Sequence, residues 1–317
     1  GAENPTDYFT QYLNGQLTFN EWKAKWYEVV NDNASATSQN ANGFKFAELD
    51  FSIDNYILPM KQRVEAKGEQ LYISLCYVDF ASSTFEHYTD ATGNEYAELI
   101  VAAYQHMQSK YGFAPDALEV GLEPDNTPWT GTRLGQAMQA AASRLTAAGF
   151  TPKFIMPSTT NINNAPTYFD AVKNVVGSAF ITQYVEEIAY HLYGGADSTT
   201  RAAVLSRATQ HGVKTSQLEY IGANVNDLLA DLTQGNVSAW TQFTIAFPDA
   251  GDDGGHYYMV NGTTVTPGAI TKQLTQYFKY VRRGAVRIAA ASANANYEPV
   301  AFQNSNGKQV VVVRTNA

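Results

Sequence analysis

The chain has 317 residues, 44 % of them hydrophobic and 16 % charged, with a formal net charge of −9. That composition supports a large buried core and excludes a disordered chain. The acidic balance argues against a phosphate-binding surface, so no nucleic-acid partner is expected. No run approaches the roughly 18 apolar residues of a membrane span, so no membrane partner is expected either. No charged segment followed by an apolar one opens the chain, so any secretory leader has been removed or never existed.

Taken in chain order, GAENPTDYFTQYL reads as a loop followed by a helix, and Lys25–Val30 as a weak strand. Leu71–Phe80 is the first clear strand. It carries the single cysteine, Cys76, which excludes an intrachain disulfide and is read as a buried structural thiol. Further strands are expected at Ala117–Leu122, Lys153–Pro157, Val185–His191, Thr215–Ile221 and Ala239–Phe247. Helical spacing of apolar residues marks Tyr96–Lys110, Thr132–Ala148 (closed by Gly149), Pro166–Val176, Thr199–Gln210 and Pro267–Val281. The strand starts are 46, 36, 32, 30 and 24 residues apart, a rhythm of βαβ units that fits a (β/α)₈ barrel. The rival, a doubly wound open sheet, would show a GxGxxG loop after its first strand, and none follows any strand here. Six good strands and one weak one fall short of eight, so the first strand or strands are expected upstream of Gly1. The tail, GAVRIAA, EPVAF, a turn at Asn304–Gly307 and KQVVVVR, reads as three strands of a small β side domain. The expected division is therefore a barrel over 1–283 and a β segment over 284–317.

In a barrel the chemistry sits at the C-terminal ends of the strands. Those ends carry Tyr77 and Asp79, Glu123, Ser158 and Thr159, His191 and Tyr193, and Glu219, while Gln242 lies within the sixth strand. Glu123, in LEPDN, and Glu219, in SQLEYIG, stand out. A carboxylate at a strand end beside apolar residues is either paired or functional, because burying a lone charge is costly. Two glutamates across a barrel mouth suit glycoside hydrolysis, one as general acid/base and the other as nucleophile. The five histidines are scattered with no HxxxH or HxH, so no catalytic metal is expected, and no Gly-x-Ser-x-Gly elbow is present.

These residues resemble clan A of the glycoside hydrolases, retaining β-glycosidases on (β/α)₈ barrels. Glu123-Pro124 matches the clan's acid/base at the end of strand 4, and Glu219 its nucleophile at the end of strand 7. They lie 96 residues apart, or three βα units. His191-Leu192-Tyr193 matches the His-x-Tyr pair after strand 6. The tail resembles the start of the side β-sandwich of family 30. The resemblance implies a secreted enzyme that cleaves β-linked oligo- or polysaccharides with retention and needs no cofactor. It also implies that His191 and Tyr193 help hold the nucleophile and the sugar. One departure is plain: the clan's Asn before the acid/base is Leu122 here.

The remaining candidates have two readings each. Trp129 either stacks on a sugar or anchors its loop, and Asp125 and Asn126 either bind hydroxyls or form the turn after Pro124. Tyr77, Asp79 and Gln242 are expected in sugar subsites. Asp249, Asp252 and Asp253 could bind calcium but read more simply as a solvated loop. Two rival functions follow from the same fold: a non-catalytic carbohydrate-binding barrel, motivated by Leu122, and a metal-dependent hydrolase, which a chelator would inactivate.

Overall fold

A computed structural model of the chain describes residues 2–80, 90–247 and 256–315. The elements run in the order α1 (Tyr8–Leu13), α2 (Phe19–Lys23), α3 (Ala47–Ser52), a π turn (Ile53–Ile57), α4 (Leu58–Glu65), β1 (Ser74–Cys76), α5 (Asn94–Tyr111), β2 (Ala117–Glu119), α6 (Gly131–Ala147), β3 (Phe154–Thr159), α7 (Ala165–Val176), α8 (Ser178–Tyr184), β4 (Val185–His191), α9 (Ser198–His211), β5 (Lys214–Glu219), α10 (Val225–Ala230), β6 (Ala239–Trp240), β7 (Ala246–Phe247), β8 (Tyr258–Asn261), β9 (Thr264–Pro267), α11 (Ala269–Phe278), β10 (Val286–Ile288), β11 (Tyr297–Gln303) and β12 (Gln309–Thr315). The class is the expected one: parallel strands alternating with helices, then antiparallel strands at the C-terminus. The chain divides into two compact units, residues 1–190 with 207–214, and residues 191–206 with 215–317.

In the first unit β1, β2, β3 and β4 pair in parallel, with Leu75 opposite Leu118, Leu118 opposite Phe154 and Ile155 opposite Glu187. β2 and β3 are buried along their whole length, as strands covered on both faces must be. α6 starts where the Thr130 side chain accepts the Arg133 backbone N–H (3.2 Å). Its apolar residues Leu134, Met138, Ala141 and Leu145 recur at helical spacing and are all buried. Gly131 and Gly135 let α6 approach α7 closely, since a Cβ on either would come within 2.8 Å of the Ala171 or Val175 side chain.

In the second unit β5 and β6 pair in parallel through Ser216–Ala239 and Gln217–Trp240. β10, β11 and β12 form an antiparallel meander, and its second hairpin turns at Asn304–Gly307, with Gly307 at φ +79°. These are the three tail strands read from the sequence. An ion pair fixes the interior of this unit: the fully buried Asp231 accepts Arg201 Nε at 2.8 Å and Trp240 Nε1 at 3.0 Å. Asp231→Ala would strand a buried guanidinium, and an expected loss of about 3–5 kcal/mol follows. Urea denaturation of this variant beside Arg201→Met/Asp231→Leu checks it, because removing both partners should cost far less.

The structure corrects four expectations. Lys25–Val30 is no strand: the N–H groups of Lys25, Trp26 and Glu28 bond carbonyls three residues back, so no ladder forms there. β6 stops at Trp240, because the chain beyond Thr241 pairs Ala246–Phe247 with β8 instead. The helix expected from Pro267 begins at Ala269, because Thr264–Pro267 is taken up as β9 of a hairpin that the sequence reading missed. Cys76 is half-buried, because among the described residues β1 is an edge strand paired with β2 alone. The helical segment 47–65 was also missed. The Asp249, Asp252 and Asp253 cluster lies outside the described residues.

Candidate active site

The first unit contributes Tyr77, Asp79 and Glu123. Val120 and Leu122 continue the β-type bonding of β2, to Ile155 and Tyr77 respectively, and Glu123 N–H then bonds Ser158 O at 3.0 Å. Pro124 disfavours right-handed helical backbone at Glu123. Glu123 adopts φ +48° and Ser158 φ +53°, two of the three non-glycine residues with positive φ among those described. Each costs of order 1–3 kcal/mol, and strain of this kind gathers at functional sites. Glu123 is nevertheless buried, at 7 % exposure.

Its loop is held from two sides. The Asp125 carboxylate accepts Thr160 N–H (2.7 Å), Asn161 N–H (3.2 Å) and Asn164 Nδ2 (2.8 Å). The Tyr168 hydroxyl donates to Trp129 O at 3.0 Å. Asp125 thus forms the turn. Asn126 is exposed, and its N–H bonds Glu123 O at 2.9 Å. Tyr168 was not singled out in the sequence, where nothing distinguishes it from other tyrosines of helical segments.

Trp129 is buried. Its Nε1 donates to Asp79 Oδ2 at 3.0 Å, and its ring packs edge-on against Tyr77 (5.9 Å) and Tyr96 (5.7 Å). That is the loop-anchor reading of Trp129: the ring orients Asp79 and leaves no open face for stacking. Burial, reinforced by the Asp79 charge, pushes the Tyr77 hydroxyl well above its ordinary range and keeps it protonated. Tyr27 is pushed up by burial and then by the charges of Asp79 and Glu48, which makes it a neighbour of this half-site that the sequence did not suggest.

The second unit contributes His191, Tyr193, Glu219 and Gln242. Tyr193 O–H donates to Glu219 Oε1 at 2.8 Å and accepts Ile221 N–H at 3.3 Å, so it bridges the carboxylate to the backbone just past β5. Tyr193 also meets Tyr220 edge-on at 5.4 Å. His191 is fully buried at the end of β4, and Gln242 is buried two residues past β6 with Nε2 donating to Ala223 O at 3.4 Å. Of the residues foreseen here, Tyr193 and Glu219 are in direct contact.

No protein-family profile and no curated protein matches the chain. Solved structures do. The catalytic domain of GH30 xylanase C from Talaromyces cellulolyticus superposes with a TM-score of 0.68 at 17 % identity, over 89 % of this chain and 70 % of that one. A conserved exported protein from Bacteroides fragilis gives 0.64 at 13 % identity, over 100 % and 76 % of the two chains. SrfJ from Salmonella typhimurium gives 0.62 at 14 % identity, over 90 % and 71 %. The fold is therefore similar to that of the GH30 xylanase C catalytic domain, with parallel strands alternating with helices and antiparallel strands at the C-terminus. No helix among the described residues is long and apolar enough to cross a membrane.

Proposed function

We propose that the protein is a secreted, retaining glycoside hydrolase acting on a β-linked oligo- or polysaccharide. Glu219 attacks the anomeric carbon while Glu123 donates a proton to the departing glycosidic oxygen. The C–O bond to the leaving sugar breaks as the bond to the Glu219 carboxylate forms. Glu123, now ionised, takes a proton from water, whose oxygen displaces Glu219 and restores the original configuration. Tyr193 orients the attacking carboxylate. Gln242, Asp79 and Asn126 bind sugar hydroxyls, with Trp129 fixing Asp79, and the buried His191 and Tyr77 support the site from behind. No step needs a cofactor.

The observation that carries this reading is Glu123. It is a buried carboxyl on strained backbone at a strand exit, in the fold of a glycoside hydrolase. Supporting it, Glu219 sits at the end of β5 in the grip of a phenol. The test is release of reducing sugar from soluble β-1,4-xylan, mixed-linkage β-glucan, β-mannan and aryl β-glycosides. Release from at least one, unaffected by a chelator, is the expected result. Leu122, in place of an amide, favours the second reading, a non-catalytic carbohydrate-binding barrel. Retention in glycan-containing gels with no sugar released from any substrate would select it.

Tyr193→Phe removes one hydrogen bond to a charged group, worth about 1.5–3 kcal/mol. The expected outcome is a kcat about 10- to 150-fold lower with the fold intact, read from initial rates beside circular dichroism. An unchanged kcat would remove Tyr193 from the mechanism.

A further inference from the structure

A separate cavity of about 200 Å³ opens in the first unit between α1, α2 and α3. Its walls include the half-buried rings of Tyr8, Trp22 and Trp26 and the charged groups of Asp7, Lys25, Lys45 and Glu48. The volume is below the roughly 300–1,000 Å³ of drug-sized ligand sites, so it suits a single ring. Tyr12 stacks on Trp22 (4.7 Å, 9°) and Trp26 meets Trp22 edge-on (5.2 Å, 76°), which fixes the ring planes.

Most of the charges are already engaged. Lys25 pairs with Glu28, Asp7 accepts Thr10 N–H and Oγ1, and Lys45 donates to Asn42 O. Glu48 makes no hydrogen bond and no ion pair with a side chain among the described residues. It is solvent-accessible, yet surrounding protein pushes its carboxyl above the ordinary range, as at the wall of a concavity. A cationic ligand would meet two ammonium groups and an anionic one two carboxylates. A neutral ring with an apolar face and hydroxyl donors fits the aromatic walls and the open acceptor at Glu48 together.

We infer that this cavity is a sugar-binding subsite that holds one pyranose unit of a β-linked glycan by its apolar face on the Trp22/Trp26 wall and by a hydroxyl donated to Glu48. The inference rests on the proposed carbohydrate substrate for its ligand class. The test uses the Glu219→Gln protein in native gels containing soluble β-1,4-xylan, mixed-linkage β-glucan or β-mannan, beside the same protein carrying Glu48→Lys or Trp22→Ala. Affinity for at least one glycan should fall about tenfold in each added variant, equivalent to about 1.4 kcal/mol, with unchanged circular dichroism. Unchanged retention in Glu48→Lys overturns the subsite, and so does the absence of retention in all three glycans. Glu48 is exposed, so its variant reports even if Trp22→Ala fails to fold. Hydrolysis by the unsubstituted chain is measured separately. Hydrolysis with unchanged retention sinks the subsite alone. Retention that depends on Glu48 without any hydrolysis sinks the catalytic proposal and keeps the subsite.

Discussion

Glu219→Ala is expected to lower kcat by on the order of 10⁴-fold, the scale of losing a nucleophile. Added azide should restore turnover of an activated aryl β-glycoside. Truncation opens space on the face from which the carboxylate attacks, and azide entering there displaces the aryl group in one step. The product is the α-glycosyl azide, of inverted configuration. Glu123→Ala behaves differently. Glu219 still forms the glycosyl-enzyme, and an activated leaving group departs without a proton. The stalled step is then the second, which lacks its base. Azide needs no base and attacks the intermediate from the opposite face, so the product is the β-glycosyl azide. Loss of the general acid should cost about 10²–10⁴-fold on substrates with poor leaving groups and far less on dinitrophenyl glycosides. The anomeric configuration of the two azides, read by proton NMR, assigns both roles. The same azide from both variants would refute the assignment. Full activity in either variant would remove that glutamate from the chemistry.

Replacing Glu98 should make the protein more stable at pH 8 and not at pH 4.5. Glu98 lies on α5 with no exposure, and its carboxylate oxygens accept no hydrogen bond among the described residues. Arg144 Nη2 lies 3.6 Å away, but its Nη1 is spent on Ala36 O and Asn94 O. Burial comes first, and the charges of Asp32, Glu95 and Glu3 add to it against the single guanidinium. Together they push the Glu98 carboxyl up to about 7 from an ordinary 4.5. Between those values the native chain binds more protons than the unfolded chain, so stability falls as pH rises through that window. The penalty is complete above about pH 7 and absent below about 4.5. Its scale is about 3 kcal/mol. Glu98→Gln removes the charge and keeps the shape. It should raise Tm at pH 8 by a few degrees, at about 1.5 °C per kcal/mol for a chain of this size. At pH 4.5 it should leave Tm unchanged or slightly lower. An equal offset at both pH values would mean that Glu98 is not the titrating group.

Much of the architecture could be read from apolar runs, because a parallel strand buried on both faces announces itself. Val185–His191 was expected as a strand and is β4 residue for residue. The tail strands, with their Asn304–Gly307 turn, were legible for the same reason joined to turn chemistry. Lys25–Val30 and Thr241–Ile245 carry apolar residues too and form no strand, and Ala246–Phe247 is a strand of a different sheet. A strand is defined by the partner that receives its hydrogen bonds, and the sequence does not name the partner. The hairpin at Tyr258–Pro267 was hidden for the converse reason, since its strands are short, mixed in composition and mostly exposed.

The candidate site divides along the same line. Glu123 beside Pro124, Glu219 at a strand end and the His191–Tyr193 spacing were determined by the sequence alone, because strand exits bring chemistry to one end of a β/α fold. Only the tertiary structure decided what each side chain touches. It buried Trp129 against Tyr77 and Tyr96 and spent its N–H on Asp79, it committed Asp125 to three donors of the next loop, and it gave Glu219 to the Tyr193 hydroxyl. Those partners come from other βα units, 26 to 52 residues away along the chain. A polar group takes whichever partner packing brings within about 3 Å, and that choice is made by the assembled core rather than by neighbours in the chain.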